Sequence, residues 1–335
     1  MTNAKKKGAF IIDRQHLDYV EGQFYEIYSD EVLTKLCDLL DIRVEPIDVS
    51  ELEKHRDTLA EVEFLFSWWG MSPISVADIK KYLPRVRVLF YAGGRVDWFE
   101  APFRACGIQI VSAINVHAIP VAEFTIAEIL LANKGAFLCR ETLRTQDYET
   151  ARYHACQYEG NLYSRVGVLG VGNVGRKVIE YLRPFQVEVL ACDPRLTPAQ
   201  ARQLGVELVS MEELFSNCNV VTCHLQNSVA TEKLITYEYL SMMGDYTTFI
   251  NNGDGRHIIN EDLARVLREK PTMTALIDIT DPRKEDPAGL LKLPNVFRTP
   301  LIAGSMGNEV SRMGEYVYEQ CRRMIEDEAN APMGG

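Results

Sequence analysis

Three glycines have the spacing of residues that hold a phosphate group against a protein backbone. Gly170, Gly172 and Gly175 lie in the sequence VGVLGVGNVGRKVIEYLRPFQVEVLACD, between a short apolar run and a helical pattern. Gly170 permits a tight turn, Gly172 lets a pyrophosphate approach the backbone, and Gly175 lets the helix pack on the strand. Because strand, turn and helix follow in the required order, the motif predicts a dinucleotide site rather than a ligand-free glycine turn.

Residues between and after these glycines complete the predicted site. Asn173 and Val174 begin the helix, whose first amides and partial positive charge suit a pyrophosphate. Asp193 ends the next apolar run, 18 residues after Gly175, near the spacing expected of the acid that binds ribose hydroxyls. This acid favours NAD over NADP, although Arg195 leaves NADP open as an alternative.

The elements that must position this site alternate between strand and helix, which is typical of wound parallel sheets. The predicted strands are residues 10–13, 44–48, 64–66, 86–91 and 108–111, then 166–169, 187–192, 220–225, 248–251, 275–278 and 296–299. A long apolar helix is predicted over 120–138, with Pro120 in its first turn. A polar stretch, 140–160, separates it from the second series, and 308–328 is helical. We therefore expect an α/β protein with two doubly wound, Rossmann-like parallel sheets.

Composition argues against nucleic acid and membrane as partners. The 335 residues include 36 basic and 47 acidic side chains, giving a net charge of −11 that would repel phosphate backbones and anionic lipids. The charge-free stretch 105–122 is interrupted by Gln109, Asn115 and Pro120, so no segment is expected to span a bilayer. The eight cysteines form no C-x-x-C pair, which predicts reduced thiols, a cytoplasmic protein and no metal site.

The order of motifs from about Val88 to Met313 resembles the D-2-hydroxyacid dehydrogenase family. The matching segments are YAGGRVD (91–97), VAEFTIAEILL (121–131), GVLGVGNVGR (167–176), NVVTCHL (219–225), FINNGDG (249–255), ALID (275–278) and LPNVFRTPLIAGS (293–305). The resemblance implies a discontinuous, flavodoxin-like substrate domain, residues 1–116 plus 306–335. An NAD-binding domain, residues 117–305, is inserted into it. The resemblance also implies a homodimer through the 120–140 helix and a small-molecule substrate.

The same resemblance implies roles for residues outside the glycine turn. It puts Asp278 beside the nicotinamide carboxamide, with Gly304 near the same ring. It makes Gly93, Gly94 and Arg95 part of a backbone cradle for the substrate.

Three departures fall where the resembled family has its catalytic Arg, Glu and His. Asp254, Arg283 and Leu301 occupy those positions. Leucine cannot take a hydroxyl proton, and a positioned base contributes roughly 10² to 10⁴ to a rate. Asp254 would repel a substrate carboxylate, but it could pair with Arg283. Arg256 or Glu285 could be recruited if the loops shift.

Several other residues are candidates, each with a structural alternative. His257 follows a turn and could act as acid or base, or be a surface histidine. His117 precedes the long helix where the family usually has Asn, and it could face the site or only pack. Arg95 could anchor a carboxylate or be solvated. Trp68 and Trp69 could stack on a ring or sugar, or pack in the core.

These observations predict an NAD-dependent oxidoreductase that acts on a CH–OH/C=O substrate with a rewired catalytic site. Two alternatives stay open. One is a non-catalytic NAD(H)-binding regulatory dimer, and the other is a redox-neutral lyase or isomerase that keeps NAD bound.

Overall fold

The computed structural model describes residues 5–16, 23–253, 255–278, 286 and 288–330. The chain divides into two compact units. The first unit is Met1–His117 with Ser305–Gly335, and the second is Ala118–Gly304. Each unit is built on its own parallel sheet.

The first unit contains five parallel strands in the order β2-β1-β3-β4-β5. The strands are β1 (Lys7–Ile12), β2 (Asp41–Asp48), β3 (Phe64–Trp68), β4 (Val88–Ala92) and β5 (Gln109–Ser112). Its helices are α1 (Gln23–Ile27), α2 (Asp30–Leu39), α3 (Arg56–Leu59), α4 (Val76–Tyr82), α5 (Glu100–Ala105) and the final α14 (Ser311–Asn330). Alternate residues of each strand enter one of two cores: Phe10 and Phe66 enter the first, and Ala9 and Leu65 the second. Helices therefore cover both faces of the sheet.

The second unit contains seven parallel strands in the order β12-β11-β10-β9-β6-β7-β8. The strands are β6 (Arg165–Leu169), β7 (Glu188–Cys192), β8 (Glu207–Leu208), β9 (Val220–Cys223), β10 (Thr248–Asn251), β11 (Thr274–Ile277) and β12 (Val296–Arg298). The helices are α6 (Ile114–Ala132), which starts in the first unit, α7 (Ala136–Thr145), α8 (Tyr148–Ala155), α9 (Asn173–Leu182), α10 (Pro198–Leu204), α11 (Met211–Asn217), α12 (Tyr237–Met242) and α13 (Asn260–Glu269). The strand order reverses between β6 and β9, where open α/β sheets bind ligands at the carboxyl ends of their strands.

The predicted fold class is confirmed, since every predicted strand overlaps an observed one. Only the two-residue β8 was not predicted among the strands that the structure describes. The apolar runs in the sequence were sufficient to predict the strands, because the strands are buried on both faces.

The helical prediction was wrong around the long helix. Helix α6 begins at Ile114, so Pro120 lies inside it and not in its first turn. The helix ends at Ala132, and Gly135 takes a φ of 66° before α7 begins. Glycine adopts this left-handed conformation without the strain of a side chain. The supposed polar separator, 140–160, contains most of α7 and all of α8, whose first turn is capped by Asp147.

The prediction that no segment could span a bilayer was also wrong for α6, which is long and apolar enough by length and composition. One such helix is weak evidence of a membrane span, because the core helix of a globular protein has the same composition. Ile126 and Ile129 are buried with the strands of the second unit, and even Glu128 is buried. Burial accounts for the apolar character of one face of the helix.

Candidate functional site

The glycine turn after β6 has the geometry that its sequence predicts. Gly170 has a φ of 90°, and a Cβ added there would stand 2.8 Å from the carbonyl group of His224. A Cβ on Gly175 would stand 2.1 Å from the carbonyl oxygen of Gly170. At Gly172, by contrast, an added Cβ meets nothing within 4 Å. Two glycines are therefore required by packing, and the third leaves open space for a ligand.

The start of α9 supplies donors to that open space. Gly172 precedes the helix and provides no side-chain cap. The first amides of the helix, those of Asn173 and Val174, have no partner within the helix and suit an anion. A cavity of about 280 Å³ opens here. It is lined by Val171, Gly172, Asn173, Arg176, Asp193, Arg195 and Leu196. Amide donors, two arginines and one acid fit a dinucleotide's pyrophosphate and ribose.

Asp193 stands at the end of β7 with its carboxylate already hydrogen-bonded. The backbone N–H of Val171 donates to Oδ2 at 2.8 Å, and the backbone N–H of Arg195 donates to Oδ1 at 2.8 Å. The Arg195 guanidinium also donates to both oxygens, each at 3.2 Å. Burial opposes ionisation, but these hydrogen bonds outweigh it and lower the pKa of Asp193. The carboxylate is therefore charged at neutral pH, and ribose hydroxyls would compete with Arg195 for it.

Asp278 organises the loop that follows β12. Its carboxylate accepts hydrogen bonds from Thr299 Oγ1 at 2.6 Å and from the amides of Ile302 and Ala303 at 2.9 and 2.8 Å. The side chain is almost completely buried. Asp278 thus fixes the backbone up to Ala303. The next residue is Gly304, which is also predicted to lie near the nicotinamide ring.

Leu301 lies in this same loop and has an unusual backbone. Its φ is 57°, and its amide donates to the carbonyl oxygen of Asp278 at 3.0 Å. A bulky residue in the left-handed region is strained, and such strain concentrates at functional sites. The side chain is 49% exposed. The position therefore offers an apolar surface and no proton. The two other substituted positions, Asp254 and Arg283, lie outside the described residues.

Two nearby residues, His257 and Arg256, are candidates to replace the missing catalytic groups, but neither presents an accessible general acid or base. His257 is buried, its Nδ1 lies 3.1 Å from the carbonyl oxygen of Thr231, and its Nε2 is enclosed without a partner. His257 is therefore not a surface histidine, which was the structural alternative. Its contact with Thr231 joins two loops. The side chain of Arg256 is exposed, and its carbonyl accepts from the amide of Lys233.

The predicted substrate cradle follows β4 in the first unit. Ser112 Oγ donates to the carbonyl oxygens of Gly93 and Gly94, which fixes the loop. Arg95 is held by Asp97: Nε donates to Oδ1 at 2.9 Å and Nη2 to Oδ2 at 2.6 Å. A bidentate pair of this kind neutralises the guanidinium. Arg95 is therefore engaged within its own loop and is not presented as an anion anchor.

A buried polar cluster in the second unit was not predicted from the sequence. Asn252 Nδ2 donates to Thr125 Oγ1 at 2.9 Å and to Glu128 Oε2 at 2.6 Å. Burial, together with the charge of Asp278, raises the pKa of Glu128 to about 7. The available signal was the presence of two acidic residues, Glu123 and Glu128, in a largely apolar helix, since carboxylates are seldom buried without a partner.

Of the two tryptophans, Trp68 belongs to the core of the first unit. Trp69 lies beside His117, with the ring centroids 6.0 Å apart.

The sheet and the glycine turn define a dinucleotide-binding α/β protein, and comparison with known proteins identifies its family. Residues 126–303, more than half of the chain, match the model "D-isomer specific 2-hydroxyacid dehydrogenase, NAD binding domain". The chain therefore belongs to the D-isomer specific 2-hydroxyacid dehydrogenase family, and its cofactor is NAD(H).

Individual relatives are distant. The chain is 26% identical to the D-3-phosphoglycerate dehydrogenase of Methanocaldococcus jannaschii over 255 residues, which are 75% of this chain and 48% of that protein. It is 27% identical to the enzyme of the same name from Mycobacterium tuberculosis over 257 residues, 75% of this chain and 47% of the relative. The chain thus spans about half the length of the curated relatives it matches.

Solved structures share the fold over nearly the whole chain. A phosphoglycerate oxidoreductase from Rhizobium etli has a TM-score of 0.74 at 18% identity, covering 98% of this chain and 97% of its own. The D-mandelate dehydrogenase of Rhodotorula graminis has a TM-score of 0.76 at 14% identity, covering 95% and 94%. At these identities the likeness shows the fold alone.

Proposed function

We propose that the chain is an NAD-dependent oxidoreductase that interconverts a hydroxyl and a carbonyl group on a small molecule in the cytoplasm. Its proton-transfer arrangement differs from that of the family. The observation that carries the proposal is the open dinucleotide cavity at Gly172, with amide donors on one side and the ionised Asp193 on the other. If the protein had lost its cofactor, position 172 would have no physical need for glycine, because no atom of the protein crowds a Cβ there.

Several of the described residues would have separate roles in such a reaction. The first amides of α9 would hold the pyrophosphate, and Asp193 would accept the ribose hydroxyls after Arg195 moves. Bound NAD⁺ supplies a hydride acceptor. Asp278 holds the loop that carries Leu301, whose half-exposed side chain would exclude water and favour an apolar substituent on the substrate.

We also propose that the enzyme is a homodimer through α6. The helix keeps an exposed apolar face beside its buried one: Ala127 is exposed, Phe124 is half-buried, and Leu131 is 49% exposed. A second copy would cover this face, because apolar surface of this kind is uncommon on a helix facing water.

One observation favours a non-redox alternative. At Leu301, where the family carries its proton donor, the chain has no titratable group. A regulatory NAD(H)-binding dimer, or a redox-neutral lyase with bound NAD, would need no such donor.

Two measurements decide between these functions. The first is NADH binding to the purified protein, compared with the variant Gly172→Val. Because no atom lies within 4 Å of an added Cβ, valine should fold normally but obstruct the pyrophosphate. The second is NADH consumption with a panel of 2-oxo acids, keto-sugars and aldehydes. Consumption with at least one class is expected. Saturable NADH binding without any consumption would contradict the proposal.

A gain-of-function variant tests how far the site has diverged. The combined change Asp254→Arg, Arg283→Glu and Leu301→His restores the three family residue types. Gain of 2-oxo acid reductase activity is expected if the rest of the site is intact. If the triple variant binds NADH but gains no activity, the substrate-binding residues have changed as well.

A further inference from the structure

A buried acid lies at the carboxyl end of β10 in the second unit. Asn252 directly follows this strand, and its Nδ2 donates to Glu128 Oε2 at 2.6 Å and to Thr125 Oγ1 at 2.9 Å. Glu128 is only 8% exposed. No basic side chain of the described residues stabilises its charged form, and the charge of Asp278, which follows β11, opposes its ionisation.

Two other buried acids at this edge of the sheet are bonded differently. Asp193 accepts hydrogen bonds from the backbone amides of Val171 and Arg195 and from the Arg195 guanidinium. Asp278 accepts two backbone amides and a hydroxyl group. Glu128 accepts one bond, from a neutral side-chain amide. Burial and the charge of Asp278 raise the pKa of Glu128 to about 7, so this carboxyl group is about half protonated at neutral pH.

The edge formed by β9, β10 and β11 would face the nicotinamide half of the cofactor. In sheets of this kind a dinucleotide lies across the point where the strand order reverses, with one half of the molecule over each half of the sheet. The reversal here lies between β6 and β9. Since Asp193 after β7 suits the adenine-side ribose, the other edge is left for the nicotinamide. At this edge Asn251 Nδ2 and Asn252 Oδ1 are buried without a partner among the described residues, and such groups are unusual away from functional sites.

The two forms of the cofactor differ in charge in their nicotinamide half. The ring is cationic in NAD⁺ and neutral in NADH. A nearby cation favours the ionised form of a carboxyl group. We propose that Glu128 is a specificity residue that distinguishes oxidised from reduced cofactor, because its carboxyl group releases a proton to solvent when NAD⁺ binds and keeps it when NADH binds. The O–H bond of the carboxyl group breaks, its electron pair stays on the carboxylate, and the proton passes to the buffer.

This coupling makes the choice of cofactor form depend on pH. Below neutrality the carboxyl group is protonated in the free protein, and NAD⁺ must displace that proton to gain the favourable charge interaction. With a pKa of about 7, the dissociation constant of NAD⁺ should be up to about tenfold larger at pH 6 than at pH 8. The dissociation constant of NADH should change far less. The inference requires the cofactor but no turnover, and it therefore goes beyond the proposed function.

The first test measures proton release by titration calorimetry at pH 7 in two buffers with different enthalpies of ionisation. NADH is the matched ligand, because its binding displaces similar water without the ring charge. Wild type should release about half a proton more with NAD⁺ than with NADH. Glu128→Gln, which can still accept the bond from Asn252, should lose this difference. Glu180→Gln, on an exposed acid of the same unit, should retain it.

The contrary outcomes of this test are distinct. Equal proton release with NAD⁺ and NADH, or the same difference in wild type and Glu128→Gln, overturns the inference. If wild type shows the difference but consumes NADH with no substrate, the proposed function fails and the inference stands. If neither form of the cofactor binds, the inference fails.

A second readout observes the carboxyl group itself. Infrared difference spectra of wild type should show a protonated carboxyl band that NAD⁺ removes and NADH leaves in place. Glutamate labelled with ¹³C should shift the band, and Glu128→Gln should lack it. Persistence of the band with NAD⁺ at saturation overturns the inference, whatever the variants show.

The hydrogen bond from Asn252 provides a third test. This bond lowers the pKa of Glu128 and so partly offsets the effect of burial. Asn252→Ala removes it, and the midpoint of the proton release should therefore move to higher pH. A midpoint that stays in place or moves to lower pH would contradict the assignment of the proton to Glu128.

Discussion

Glu128 should make the protein less stable as the pH rises from about 4.5 to about 7. The carboxyl is buried in α6, and its pKa is raised to about 7 from an ordinary value of 4.5 by burial and by the charge of Asp278. A raised pKa means that the folded state holds the proton more tightly than the unfolded state. Ionisation therefore opposes folding, and stability is lost between about pH 4.5 and pH 7.

The magnitude follows from the shift. A difference of one pKa unit corresponds to about 1.4 kcal/mol, so this shift corresponds to about 3 kcal/mol above pH 7. Glu128→Gln removes the ionisation, while its side-chain oxygen can still accept the hydrogen bond from Asn252. At pH 8 the variant should exceed wild type in free energy of unfolding by up to about 3 kcal/mol. At pH 4.5 the two should nearly coincide.

The assay is urea unfolding of wild type, Glu128→Gln and Glu123→Gln at intervals from pH 4.5 to 8.5. Glu123 lies on the same helix but is exposed, so its variant should follow the wild-type dependence on pH. Identical pH dependence of Glu128→Gln and wild type would show that Glu128 ionises equally in the folded and unfolded states, contrary to this prediction.

Three further predictions follow from the cofactor turn and from α6. Gly175→Ala should weaken NADH binding at least tenfold, because its Cβ would stand 2.1 Å from a backbone oxygen; Gly244→Ala, whose nearest atom is 3.8 Å away, should bind normally, and equal affinities would contradict this account. Arg195→Ala should tighten NADH binding and weaken NADPH binding, since it frees Asp193 for ribose hydroxyls. An unchanged ratio of the two dissociation constants would show that Arg195 does not compete with the ribose hydroxyls for Asp193. Leu131→Asp should give a monomer by light scattering if α6 forms the dimer interface, and an unaltered molar mass would exclude this face.

Local sequence patterns were sufficient to predict the strands and the glycine turn. Both depend on short-range information: the strands are marked by runs of buried residues, and the turn by three glycines, two of which have no room for a Cβ. The start of α6 was not predictable in this way. Pro120 suggested a first turn, but the helix begins at Ile114 and continues through Pro120 although proline cannot donate its helical hydrogen bond.

The polar contacts of the candidate site were beyond local patterns. Asn252 meets Glu128 across 124 residues of sequence, and His117 meets Ser305 across 188. No periodicity or spacing connects residues at such separations, so only the folded chain brings them together. The same holds for Arg95, because whether an exposed arginine binds a ligand or its neighbour Asp97 depends on the loop conformation.

The most direct test of the proposed function is transfer of deuterium from NADH labelled at the nicotinamide C4 to a carbonyl substrate of the panel, followed by mass spectrometry of the product. We expect one deuterium on the new CH–OH carbon for at least one substrate class, and none with the Gly172→Val variant. Saturable NADH binding without deuterium in any product would contradict it.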